Sequence, residues 1–291
     1  KFQWGDPRAT GAKMAAFARV QSDRPSCLSR HRQFQPLASG WCRSYVHPMA
    51  RSSSRIRLHI DHPLGAGERV TLSREQAHYL FGVMRLGAGD DVSLFNSKDG
   101  EWRAGVFESF KRGGVLECVE QTKPLQMPPD VWLVFAPIKK DRTSFIVEKA
   151  TELGAAKIIP VQTEFTQSAN RVRQDKLQAH ALEATEQCGG TYVPKVRDVV
   201  KFDRLLSDWD PTRRILFCDE AMVGQDLNLP TDKGPWAIFI GPEGGFSDRE
   251  RAILRGLDHA HPISLGPRIL RADTAAVAAL TLWQQTLGDW V

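Results

Sequence analysis

The chain has 291 residues, 42% apolar and 25% charged, with a formal net charge of +5. That is the composition of an ordinary globular protein of about two domains, and no apolar run approaches the roughly 18–20 residues that a bilayer-crossing helix needs. The charge is uneven: residues 1–57 hold 11 Lys/Arg against 2 Asp/Glu, and the remainder holds 28 against 32, so bulk charge gives no argument for nucleic-acid binding by the body of the protein.

Residues 1–54 are rich in Arg, Ser, Pro and Gln and lack sustained periodicity. Such a segment buries too little apolar surface to offset its ordering entropy. The first expectation is a non-native, over-extended start, with Met49 as a sensible beginning. A transit peptide and a basic RNA-binding arm follow as alternatives. Cys27, Cys42, Cys118, Cys188 and Cys218 form no C-x-x-C pair. An odd count without zinc spacing points to reduced thiols, a cytoplasmic location and no metal.

Residues 55–123 alternate short strands with Gly and Asp turns: "RIRLHI", "RVTLS", "DDVSLFN", "EWRAGVFES" and "GGVLECVEQ". One helix interrupts them, "SREQAHYLFGVMR", opened by Ser73 as N-cap with Gln76 in the capping-box position. The expected unit is a small β-barrel. Residues 124–130 form a proline-marked linker. From 131 to 291 strand and helix alternate, the mark of an α/β domain with a mostly parallel sheet. Its expected strands are "VWLVFAPI", "AKIIPVQT", "RRILFCDE", "WAIFIG" and "HPISLG". Gly154 stands where a helix C′ residue is expected after "RTSFIVEKATEL".

Ligands of open parallel sheets sit beyond the carboxyl ends of the strands, and three such ends are unusual here. In "IFIGPEGGFSDRE" a buried-type strand stops at Ile240. Gly241, Gly244 and Gly245 then permit positive φ and close approach of a ligand to bare backbone. Ser247 and Glu250 make the next capping box. The spacing matches neither G-x-G-x-x-G nor a P-loop, which removes nucleotide-phosphate readings. One acid, Glu243, in a bare-backbone pocket suits a cationic or hydrogen-bonding ligand. In "SLGPRILRADTAAVAAL" a strand ends at Leu265-Gly266. Arg268 and Arg271 flank Ile269-Leu270, and Asp273 or Thr274 starts an alanine-rich helix that packs closely. In "IIPVQTEFTQ" the strand runs into Thr163, Glu164 and Thr166.

Together "HYLFGVMRL", "KATELG", "PVQTEFTQ", "EATEQCGG", "IGPEGGF" and "SLGPRILRADTA" resemble, in order, the SPOUT class of S-adenosylmethionine-dependent RNA methyltransferases. Within it they are similar to the bacterial 16S ribosomal RNA (uracil-N3) methyltransferases. The resemblance runs from about residue 56 to 291. It implies a PUA-like barrel before an α/β domain with a C-terminal trefoil knot, and a homodimer acting on small-subunit ribosomal RNA or the 30S subunit. It implies S-adenosylmethionine held by Thr163, Ile240, Gly241, Gly244, Gly245, Leu265, Gly266, Ile269, Leu270 and Thr274. Uracil N3 must lose a proton before it attacks a methyl group. The candidate catalytic groups are Arg271, Asp273 and Glu243. Glu164 is a further candidate base, and the choice among the three acids stays open. Candidate RNA contacts are His78, Arg85, Lys139, Arg142, Arg171, Arg173 and Arg268. An RNA-binding protein that keeps the fold without catalysis, or a methyltransferase of another RNA nucleotide, is the alternative.

Overall fold

The computed structural model describes residues 56–290, apart from 111, 168 and 226–228, so the leader expectation for residues 1–54 lies outside the described residues. Five strands form the first sheet: β1 (Arg57–His59), β2 (Arg69–Thr71), β3 (Asp91–Phe95), β4 (Glu101–Phe110) and β5 (Gly113–Lys123). Its order is β1-β3-β4-β5-β2, and β1–β3 is its parallel pair. Leu58, Val70, Val92, Leu94, Ala104 and Leu116 point into one core.

The helix of this sheet differs from expectation. The Ser73–Gln76 capping box is present, but α1 (Arg74–Ala77) passes into a π-helical turn (His78–Val83). The Met84 amide reaches back five residues to the Tyr79 carbonyl at 2.9 Å. The wider turn seats Leu80 in the core and lays Phe81 over the bare backbone of Gly114, where a Cβ would collide with the ring. It also leaves Arg85 at φ 59°.

The second sheet is parallel throughout, in the order β12-β10-β11-β6-β7-β8, with β9 on β7. Its strands are β6 (Val131–Phe135), β7 (Lys157–Gln162), β8 (Lys195–Val196), β9 (Val200–Lys201), β10 (Arg214–Cys218), β11 (Trp236–Ile240) and β12 (Ala260–Ile263). All five residues of β11 are buried, as expected of a central strand covered on both faces. One face packs on α2 (Lys140–Glu152), α3 (Gln174–Cys188) and α6 (Ala272–Thr286) through Ile146, Val147, Ala181, Ala276 and Ala279. The other packs on α4 (Phe202–Ser207) and α5 (Asp248–Arg255) through Phe202, Phe246 and Leu254. Because all strands run the same way, Gln162, Cys218, Ile240 and Ile263 end on one side of the molecule.

The two sheets are joined by a buried polar knot of side chains centred on Arg57. Its guanidinium donates to the carbonyls of Thr185 (2.7 Å), Glu186 (2.8 Å) and Gly190 (2.6 Å) at the end of α3, and to Glu101 (2.7 Å). The His59 amide donates to Glu186 Oε1 at 2.9 Å. Among the described residues no helix is long and apolar enough to cross a membrane, and no group of three or more His, Cys, Asp or Glu could hold a metal.

Candidate active site

The turn after β11 and the turn after β12 face each other across a cleft of about 190 Å³. Ile240, Gly241, Glu243 and Gly245 line it from the first turn, and Leu265, Arg268, Ile269, Leu270 and Arg271 from the second. Gly245 has φ +70°, and a Cβ there would overlap the Glu220 carboxylate. At Gly241 a Cβ would press on the Gly245 carbonyl carbon at 3.1 Å. The turn therefore needs glycine at 241 so that its backbone can close on itself and at 245 for its left-handed conformation.

A third strand end completes this cleft, and the sequence patterns did not mark it. After β10 come Asp219 and Glu220, the latter opening a 3₁₀ turn (Glu220–Met222). Asp219 is buried and bound to Arg255 at 2.7 Å, while Glu220 meets Arg251 at 2.5 Å. The strand-end rule that singled out the other three turns applies here too, but "RRILFCDE" reads as strand through both acids. Cys218, half-buried, also lines the cleft, and burial pushes its thiol up.

A second cleft, about 580 Å³, opens beside the first. It is lined by Pro137, Lys139, Glu164, Phe165, Thr166, Gln167, Glu243 and Gly244. A third, about 490 Å³, is lined by Lys139, Asp141, Arg142, Phe145 and Asp273. Glu243 borders the first and second clefts, and Lys139 borders the second and third. Arg142 Nη1 binds Asp273 Oδ2, and the Thr274 amide donates to Asp273 Oδ1 at 3.0 Å. Both oxygens of Asp273 are therefore engaged, whereas Glu243 is exposed on the ridge between two clefts.

The lining of the first cleft suits a ligand with an apolar ring and a polar, partly cationic end. Its walls are Ile240, Ile263, Leu265, Leu270 and Ala275, and Glu220 and Glu243 stand at the polar side. The described residues give the amides of Leu265 and Leu270 no hydrogen-bond partner, and the Cβ position of Gly266 is open. Bare main-chain donors beside apolar walls are what a nucleoside-bearing ligand can use.

Comparison with known proteins decides the family. An RNA methyltransferase domain family matches residues 125–284, and an RNA methyltransferase PUA domain family matches residues 72–113. The chain belongs to the RNA methyltransferase family. A Rickettsia conorii relative, ribosomal RNA small subunit methyltransferase E, is 30% identical over 229 residues, 77% of this chain and 93% of its own. A Legionella pneumophila methyltransferase structure in complex with the cofactor SAM shares 29% identity and a TM-score of 0.72, covering 80% of this chain and 98% of its own. A Neisseria gonorrhoeae ribosomal RNA small subunit methyltransferase E, bound to S-adenosyl methionine, shares 25% identity and a TM-score of 0.73, covering 81% and 99%.

In this methyltransferase the expected site residues separate into groups. Ile240, Gly241, Gly245, Leu265, Ile269 and Leu270 border the first cleft, as do Glu243, Arg268 and Arg271. Gly244 faces the second cleft, and the Cβ of any larger residue would lie 3.4 Å from Phe165 Cβ. Thr163 is buried and lines neither cleft: its amide donates to Thr166 Oγ1 at 2.9 Å and its hydroxyl meets the same atom at 2.7 Å. Gly266 accepts from the Gly224 amide at 3.1 Å, and Thr274 sits exposed in the first turn of α6. Lys139 and Arg142 stand at the start of α2 between clefts. Arg173 pairs with Asp175 at 3.0 Å, and Arg171 is exposed nearby. His78 and Arg85 are exposed on and after the π turn of the first sheet.

Proposed function

We propose that this chain methylates N3 of a uridine in small-subunit ribosomal RNA, using S-adenosylmethionine held in the cleft between the β11 and β12 turns. The observation that carries this reading is the placement of Glu243. It is an exposed carboxylate on the wall shared by a cofactor-like cleft and an open cleft with Lys139 and Phe165. When bound, S-adenosylmethionine supplies a methyl group on a sulfonium, ready for in-line displacement. Gly241, Gly245, Leu265 and Leu270 hold it through main chain and apolar walls. Glu243 accepts the N3 proton of the uracil, and the freed lone pair would take the methyl group, the new N–C bond forming as the methyl–sulfur bond breaks and its electron pair stays on sulfur as a neutral thioether. Arg271, with Arg268, stabilises the charge that develops on the base. Asp273 orients Arg142 rather than taking the proton, because both of its oxygens are engaged.

The reading includes an RNA acceptor whose uridine is unpaired or splayed out, since N3 is buried in a base pair. It also includes the trefoil threading of the last segments and a homodimer. Ile269, 76% exposed, and Trp290, 52% exposed, are apolar surface that a second copy would cover. Incubation of the protein with labelled S-adenosylmethionine and small ribosomal subunits lacking this modification tests the function. RNA digestion and mass spectrometry then follow. 3-Methyluridine at one site is the expected product. Label on another nucleotide, or no transfer despite measurable cofactor binding, would overturn the assignment of substrate.

A further inference from the structure

The second cleft contains an aromatic side chain that the methyl-transfer chemistry above does not use. Phe165 is 46% exposed although it sits in a turn that is firmly held. The Glu164 amide donates to the buried Glu250 carboxylate at 2.8 Å, and Thr163 and Thr166 close the turn on each other. The ring lies alongside Gly244, whose missing side chain leaves the neighbouring wall flat. Glu243 is next in the chain and borders the same cleft. Lys139 lines the same cleft, and with it Phe145, 39% exposed, borders the third. An aromatic face, a carboxylate and a lysine that converge on one open cleft match the needs of a nucleotide: stacking for the base, an acceptor for its polar edge and a cation for its phosphate.

We infer that Phe165 is the platform on which the target base stacks, with Gly244 kept bare so that the base can lie flat beside Glu243. The inference rests on the methyl-transfer reading and deepens it by naming a positioning residue for the substrate. Stacking presents the edge of the base, not its face, to Glu243, as removal of the N3 proton requires. It also explains the exposure of the ring. A phenylalanine meant only to anchor the turn would be buried, as Phe246, the residue directly after the glycine turn, is at 0% exposure.

Three variants test this: Phe165→Ala, Phe165→Leu and Phe165→Tyr. Methyl transfer to unmodified small ribosomal subunits is measured alongside binding of a uridine-containing single-stranded oligoribonucleotide without cofactor. Phe165→Ala and Phe165→Leu should each lower kcat/KM by roughly 5- to 150-fold, the equivalent of one lost base–aromatic stack. The loss should fall mainly on KM and appear also in oligonucleotide affinity. Phe165→Tyr, which keeps the aromatic face, should stay within about threefold of the parent. Cofactor affinity and melting temperature should not change, because Phe165 does not line the first cleft. Wild-type kinetics in Phe165→Leu would show that apolar filling suffices and would overturn the platform. So would a Phe165→Ala protein that loses cofactor binding or melts lower, which is the signature of a structural role. If the unmutated protein methylates no RNA, the proposed function fails by itself, and the oligonucleotide binding series still decides the platform.

Discussion

Replacing Arg57 with alanine should loosen the joint between the two sheets. Arg57 is 13% exposed and its partner Glu101 1%. Substitution strands Glu101 with a hydroxyl donor, Thr122 at 2.8 Å, and a more distant cation, Lys123 at 3.7 Å. It also removes the donors to three carbonyls at the end of α3 and the stack of the guanidinium over Phe95 at 4.6 Å. Breaking a buried pair from one side costs about 3–5 kcal/mol, because the remaining charge is left uncompensated. Partial water entry keeps the carbonyl terms from adding in full. For a body of this size that loss corresponds to a fall of roughly 6–20 °C in Tm.

Urea unfolding of the parent, Arg57→Ala, Glu101→Gln and the double variant measures it. The double variant should be less destabilised than the sum of the singles, since removing both charges leaves none stranded. Lysine should rescue poorly, because one ammonium cannot reproduce a guanidinium that serves four acceptors on two elements. A cost below about 1 kcal/mol, the range of an exposed ion pair, would refute the reasoning.

Gly245→Ala forces a Cβ into a left-handed turn, where it overlaps Glu220, so calorimetry should show cofactor affinity lowered on the order of tenfold or more while the fold is kept. Glu243→Gln removes the proposed proton acceptor; kcat should fall by about 10²–10⁴-fold with little change in cofactor affinity, and an unchanged kcat would pass the role to Glu164. Burial holds the His59 imidazole below its ordinary 6.5, against the opposing charge of Asp61. Its contribution to stability is therefore complete above pH 6.5 and is lost as pH falls from there towards the depressed folded value, so melting curves of His59→Gln should lack that part of the acid decline.

The strands and turns of the catalytic half were legible because their cause is local. "WAIFI" is apolar enough to be buried on both faces, Gly241 and Gly245 mark a turn that excludes side chains, and Ser247 with Glu250 starts the next helix. The π turn was not legible, because the residues that favour it act across the sheet: Leu80 must reach the core and Phe81 must lie on Gly114, which a regular helical period does not encode. Arg57 was missed for the same reason. In "RIRLHI" it reads as the polar side of a strand, while three of its four acceptors lie more than 120 residues away. The pairing of Arg142 with Asp273, separated by 131 residues, changed the standing of both. One had been a free cation for RNA and the other a free base, and in the fold each occupies the other.

Glu250 shows how a local signal can also carry a long-range function. As a capping-box residue it needs only to accept from the Ser247 amide, which it does through Oε2 at 3.0 Å. Its other oxygen takes the Glu164 amide at 2.8 Å, and the side chain is 1% exposed. One carboxylate thereby fixes the helix that follows the glycine turn and the turn that carries Phe165. The first shapes the cleft proposed for the cofactor, and the second shapes the cleft proposed for the base. Methyl transfer demands that these two walls keep their spacing, because displacement falls off steeply when the reacting atoms are misplaced by even an ångström. A buried, doubly engaged acid ties the two loops to one side chain. It explains why the cap is a glutamate whose two oxygens are both used, and why Glu243, two residues beyond Gly241, can remain exposed without losing its place.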